Sequence, residues 1–154
     1  SHPVETVITL KEIIKASEDS IDYSYFFRKS LSNEKTNITA TISSSVVLGA
    51  NELECKAILV ATNLGKTARR ISRLKPPCPI IAAAENELAV KSLQMYFGVM
   101  PIIAKGDSLE ELTENAKEKI IDILNLKKGD KIIITGGYPY RKVDHTNFME
   151  IIEI

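Results

Sequence analysis

Four short apolar runs, each followed by a polar or amphipathic stretch, constrain this chain more than anything else in it. They are "KAILVA", "PIIAAA", "VMPIIA" and "KIIIT". A strand that is apolar without alternation is buried on both faces, which requires helices above and below it. The stretches between the runs are "GKTARRISRLK", "NELAVKSLQMYFG" and "DSLEELTENAKEKIIDILNL", all of helical spacing. Strand–helix alternation of this kind predicts parallel strands covered by helices on both faces. The closing "TNFMEIIEI" alternates instead and reads as an edge strand. Upstream, "PVETVITLKEIIKASEDSI" predicts an amphipathic helix that starts at Pro3. "DYSYFFRKSLSNEKTN" reads as a loop, and "ITATISSSVVLGANEL" as a helix on the spacing of Ile38, Ile42, Val46 and Leu53. Asn86 and Asp107 or Ser108 are expected caps, and Gly98 the end of its helix.

The 154 residues suffice for one domain, residues 1–154, with a substantial core. Twenty basic side chains balance twenty acidic ones, so no electrostatic footprint for nucleic acid or an anionic membrane is present. No apolar run approaches a membrane span, and no signal peptide opens the chain. Cys55 and Cys78 lack metal-ligand spacing and read as buried thiols of a cytoplasmic protein. The first residue is not methionine, which is compatible with a piece of a longer chain and with Ser1-His2 as a cloning remnant.

The segment "ATNLGKTARRISR" poses the functional question. Gly65-Lys66-Thr67 suggests a nucleotide-binding P-loop, but that motif needs a glycine five residues before the Gly-Lys pair. Val60 stands there, inside a strand. What remains is a short turn, Thr62-Asn63-Leu64-Gly65, that leads into a helix near Lys66. A helix start offers free N–H groups and partial positive charge to an anion. The alternative is that Thr62 or Asn63 merely caps the helix. Gly136 and Gly137 also end a strand, so both turns are candidates for one site at the carboxyl edge of the sheet. No serine, cysteine and histidine combination is placed for nucleophilic catalysis, and no carboxylate cluster suggests a metal. The residues read as a binding domain rather than an enzyme.

"HPVETVITLKEI", "ILVATNLGKTARRISRLKPPCPIIA", "FGVMPI" and "KKGDKIIITGGYPYRKVDHTNFMEIIEI" resemble, in order and nearly without gaps, the C-terminal domain of pyruvate kinase, closest to bacterial members. The resemblance runs from Pro3 to Ile154. It implies a three-layer α/β/α fold with a mixed five-stranded sheet whose last strand is antiparallel. It implies that catalysis, which transfers phosphate from phosphoenolpyruvate to ADP with Mg and K, belongs to a barrel absent from this chain. No cofactor is then expected here, and the isolated chain is expected to be inactive. The resemblance further implies an allosteric site for a phosphorylated effector. Its phosphate would sit on Thr62, Asn63, Leu64, Gly65, Lys66 and Thr67. The loop from Gly137 to His145, with Arg141, Lys142 and Asp144, would close over it. Two departures from the family pattern stand out. Leu64 replaces a serine, and Asp144 replaces a glycine and puts a carboxylate near the anion, which Arg141 and Lys142 could offset. The chain has no tryptophan and a short Lys105–Ser108 segment, which favours AMP or a sugar monophosphate over a bisphosphate. Subunits of such a protein would meet through residues 4–14 and 148–154 as a homo-oligomer. The competing reading is an interaction module whose effector site has decayed.

Overall fold

The structure is a computed structural model that describes residues 2–18, 20–31 and 36–154. Residue 19, at the end of the first expected helix, and residues 32–35, in the expected loop, lie outside it. The elements run α1 (Pro3–Glu18), α2 (Tyr23–Leu31), α3 (Ile38–Glu52), β1 (Ala57–Ala61), α4 (Lys66–Arg73) and β2 (Ile80–Ala84). There follow α5 (Glu87–Leu93), β3 (Val99–Ile103), α6 (Leu109–Leu124), β4 (Lys131–Gly136) and β5 (Phe148–Glu153). The strands form one sheet in the order β3-β2-β1-β4-β5. The first four are parallel, and β5 pairs antiparallel with β4, with Ile133 opposite Ile151. This is the mixed five-stranded α/β/α sandwich that the resemblance implies, and it agrees with the strand–helix alternation of the sequence.

Side chains alternate across a strand, and each face of the sheet has its own core. Ile58, Val60, Ile80, Ala82 and Ile133 pack with Val46 and Val47 of α3, Ile71 of α4 and Leu93 of α5. Leu59, Ile81, Ala83, Ile132 and Ile134 pack on the other face against Leu112, Ala116 and Ile120 of α6. Burying both faces explains why β1 and β2 are apolar without alternation, for every residue in them is buried. Expectation and structure part at β3. Ile102 and Ile103 are only half-buried, because β3 is an edge strand with a neighbour on one side.

Two further differences concern helices. The segment read as a loop contains α2, whose aromatic residues hide its period and which buries no residue fully. Phe27 nevertheless packs against the core below α3. Helix α5 stops at Leu93, five residues short of Gly98. Tyr96 and Phe97 turn instead, with the Ser72 hydroxyl donating to the Phe97 carbonyl at 2.7 Å. The caps follow the sequence. The Asn86 side chain accepts from Ala89 N–H, and Ser108, not Asp107, accepts from Glu111 N–H. Helix α1 is formed as expected, but it buries none of its residues.

From β1 the chain steps outward to β2 and β3, then returns to place β4 on the other side of β1. The crevice at the carboxyl ends of β1 and β4 is therefore a topological switch point, where ligands of open α/β sheets bind.

Candidate functional site

The turn after β1 and the loop after β4 both open onto that switch point. They enclose a cleft of about 280 Å³, at the small end of ligand pockets. Its walls include Thr62, Asn63, Leu64, Lys66 and Thr67 from the turn, and Gly137, Arg141, Lys142, Asp144 and His145 from the loop. Ten of the eleven site residues expected from the sequence thus line one cleft. The eleventh, Gly65, is buried and forms the bend behind them.

The turn owes its shape to two residues. Thr62 Oγ1 accepts from Gly65 N–H at 2.9 Å, which closes the turn on itself. Gly65 has φ +76°, and a Cβ there would lie 2.6 Å from Leu93 Cδ2. Only glycine meets both conditions. Gly65 caps α4 without any side-chain oxygen, so no side chain competes for the first N–H groups of that helix. The alternative reading, in which Thr62 or Asn63 merely caps the helix, is not what forms, for the cap is Gly65. Arg69 reaches back and donates to the Leu64 carbonyl at 2.9 Å, while its guanidinium sits 5.7 Å from the Tyr96 ring.

The loop is tied at both ends by Asn147. Its Oδ1 accepts from Tyr138 N–H at 2.7 Å, its Nδ2 donates to the Tyr138 carbonyl at 2.6 Å, and its own N–H donates to the Gly136 carbonyl. Gly136 and Gly137 allow close approach. A Cβ on Gly136 would lie 3.0 Å from the Ala61 carbonyl oxygen, and one on Gly137 would lie 2.8 Å from that of His145. A hydrogen bond joins the two walls, for the hydroxyls of Thr67 and buried Thr146 are 2.7 Å apart.

The charges are arranged differently from the expectation. Arg141 Nη2 lies 2.5 and 2.7 Å from the two carboxylate oxygens of Glu85, just beyond β2. The Tyr140 hydroxyl donates to the same carboxylate at 3.1 Å. Burial first, then the Glu85 charge, raises the Tyr140 pKa above its ordinary value. The hydrogen bond to Glu85 raises that of Arg141. Arg141 therefore faces Glu85, and the nearest recorded partner of Asp144 is His145, with 3.7 Å between Oδ1 and Nδ1. Sequence reasoning missed Glu85 and Thr146, and it did not single out Tyr140 and Val143 within the loop. Nothing local marks them, since Glu85 matters only because the fold brings the end of β2 to the last loop, and Thr146 only because the same loop meets Thr67 of α4.

Among the described residues, no three His, Cys, Asp or Glu side chains gather as they would around a metal ion. No described helix is long and apolar enough to cross a membrane.

Residues 40–152 match the family model described as pyruvate kinase, alpha/beta domain. The pyruvate kinase of Clostridium acetobutylicum is 34% identical over 152 residues, which cover 98% of this chain and 32% of that protein. That of Staphylococcus aureus strain USA300 is 34% identical over 151 residues, 97% of this chain and 26% of its own length. The solved pyruvate kinase of Cryptosporidium parvum in complex with ADP superposes with a TM-score of 0.85 at 24% identity, over 99% of this chain and 31% of that one. The chain spans about a third or less of the length of these relatives. On the family model and the bacterial relatives together, this chain belongs to the pyruvate kinase family and forms its C-terminal α/β domain.

Proposed function

We propose that this domain serves pyruvate kinase as an effector-binding and subunit-assembly module. A phosphorylated metabolite, AMP or a sugar monophosphate, binds the turn Thr62–Thr67 under the loop Gly137–His145. The transfer of phosphate from phosphoenolpyruvate to ADP belongs to a catalytic barrel outside this chain. The observation that carries the reading is the convergence of the two segments on one cleft at the switch point. The turn gives the cleft wall Lys66, Thr62 and Thr67, at the start of a helix whose cap, Gly65, brings no side-chain oxygen. Backbone N–H groups at a helix start and an ammonium are the donors that a phosphate takes.

The test is a calorimetric titration of AMP, ribose 5-phosphate, glucose 6-phosphate and inorganic phosphate into the wild type and Lys66→Ala. A charge-assisted hydrogen bond contributes roughly 1.5–3 kcal/mol, so Lys66→Ala should weaken binding about tenfold or more. Binding that Lys66→Ala leaves unchanged would place the ligand elsewhere.

A second reading, an interaction module whose effector site has decayed, draws on Asp144 and on α1. Asp144 puts an exposed carboxylate on the cleft wall. Helix α1 leaves Val4, Val7, Ile8 and Ile14 more than half exposed. If no phosphate compound binds at millimolar concentration but Asp144→Gly restores binding, Asp144 is the cause of the loss.

A further inference from the structure

Glu85 lies outside every segment so far assigned to the cleft, yet it holds the one arginine that lines it. The Lys, Arg and Asp side chains lining the cleft are Lys66, Arg141, Lys142 and Asp144, which together leave two positive charges. Glu85 cancels one more. Its carboxylate takes both short bonds from Arg141 Nη2 and a third from Tyr140, while the Arg141 guanidinium lies 5.2 Å from the Tyr140 ring. The same Nη2 reaches the Gly106 carbonyl at 3.4 Å. Three acceptors of the protein itself thus surround the nitrogen.

A phosphate monoester carries roughly −1.5 to −2 charge at pH 7, and a bisphosphate twice that. A cleft with a single net positive charge suits the first and opposes the second, most of all with Asp144 on its wall. We propose that Glu85 sets the ligand class of this cleft. By occupying Arg141, it leaves the cleft fit for one phosphate group on an otherwise uncharged molecule and unfit for a bisphosphate. The proposal rests on the reading of the cleft as a phosphate-effector site and deepens it. It assigns the choice of ligand to a residue on β2's end of the sheet, not to the phosphate turn itself.

Glu85 and Arg141 are both partly exposed, at 24% and 49% of their side-chain surface. Such ion pairs contribute little to stability, so the variants should fold. The experiment titrates ribose 5-phosphate and fructose 1,6-bisphosphate into the wild type, Glu85→Gln, Glu85→Ser and the double variant Glu85→Gln/Arg141→Ala, with circular dichroism as the fold control. The wild type should bind ribose 5-phosphate at least as tightly as the bisphosphate. Each single variant should gain about tenfold or more for the bisphosphate, the scale of one charge-assisted hydrogen bond, and less than about threefold for ribose 5-phosphate. The double variant keeps the wild-type net charge and should lose the gain. Ribose 5-phosphate binding with an unchanged preference in both single variants would overturn the role of Glu85 and leave the effector reading intact. A wild type that prefers the bisphosphate would do the same. Failure of both compounds to bind any of the proteins at millimolar concentration would overturn both together.

Discussion

Ser43 is fully buried on α3, and its Oγ has no hydrogen-bond partner among the described residues. A buried hydroxyl without a partner costs about 1–3 kcal/mol. Ser43→Ala should therefore raise stability by about 1 kcal/mol, or about 2–4 °C in Tm for a chain of this size, as read by calorimetry. Cys78 makes a second case. Both cysteines are free thiols, and burial pushes the Cys78 thiol up to about 12. The neutral thiol is the folded form, so Cys78 contributes stability that is complete below its unfolded pKa of about 9 and is lost as pH rises towards 12. The urea midpoint of the wild type should fall more steeply between pH 9 and 11 than that of Cys78→Ala. Equal slopes would mean that Cys78 is wetter than its surroundings imply. At this scale the sequence showed the polar residues of the turn, because Thr62, Asn63, Lys66 and Thr67 follow one another. It could not show that Arg141 faces Glu85, since the two stand 56 positions apart and nothing between them marks the contact.

Gly65 shows how one residue decides where an element starts. With φ +76°, an alanine pays the left-handed strain of roughly 1–2 kcal/mol, and its Cβ lies 2.6 Å from Cδ2 of the fully buried Leu93, which must shift to admit it. Gly65→Ala should lower stability by about 2 kcal/mol in urea unfolding and weaken phosphate binding by shifting the first N–H groups of α4. Retained stability with lost binding would show that the turn deforms locally instead. The parallel strands were legible because burial on both faces leaves a continuous apolar run, and β5 because an edge strand keeps its alternation. Helix α2 was not, since Tyr23, Tyr25, Phe26 and Phe27 crowd its apolar residues together and it fully buries none of them. The end of α5 was missed for a related reason. Gly98 does adopt positive φ, as a helix-terminating glycine would, but it closes the turn into β3.

Across the whole molecule, the sandwich and helix α1 differ in how fully they are covered. The sheet and its flanking helices bury their apolar faces, whereas the 16-residue α1 buries nothing and leaves Val4, Val7, Ile8 and Ile14 on one helical stripe more than half exposed. Isolated helices of this length are marginal in water, so such a stripe acquires stability only when something packs on it. At the far edge, β5 has an open side on which Ile151 is 44% exposed but Glu150 and Glu153 are charged, which discourages random pairing. A two-fold homodimer through residues 4–14 and 148–154 would cover both surfaces, each copy presenting the same patch. Sedimentation should then show self-association that rises with concentration, and hydrogen exchange of α1 amides should slow in step with it. Ile14→Asp should shift the equilibrium towards monomer by removing the stripe's continuity. Ile151→Lys should do so less, because the strand's own ladder with β4 persists. Fast exchange throughout α1 at every concentration, together with a strictly monomeric profile, would mean that another partner covers the helix and that this domain does not assemble through it alone.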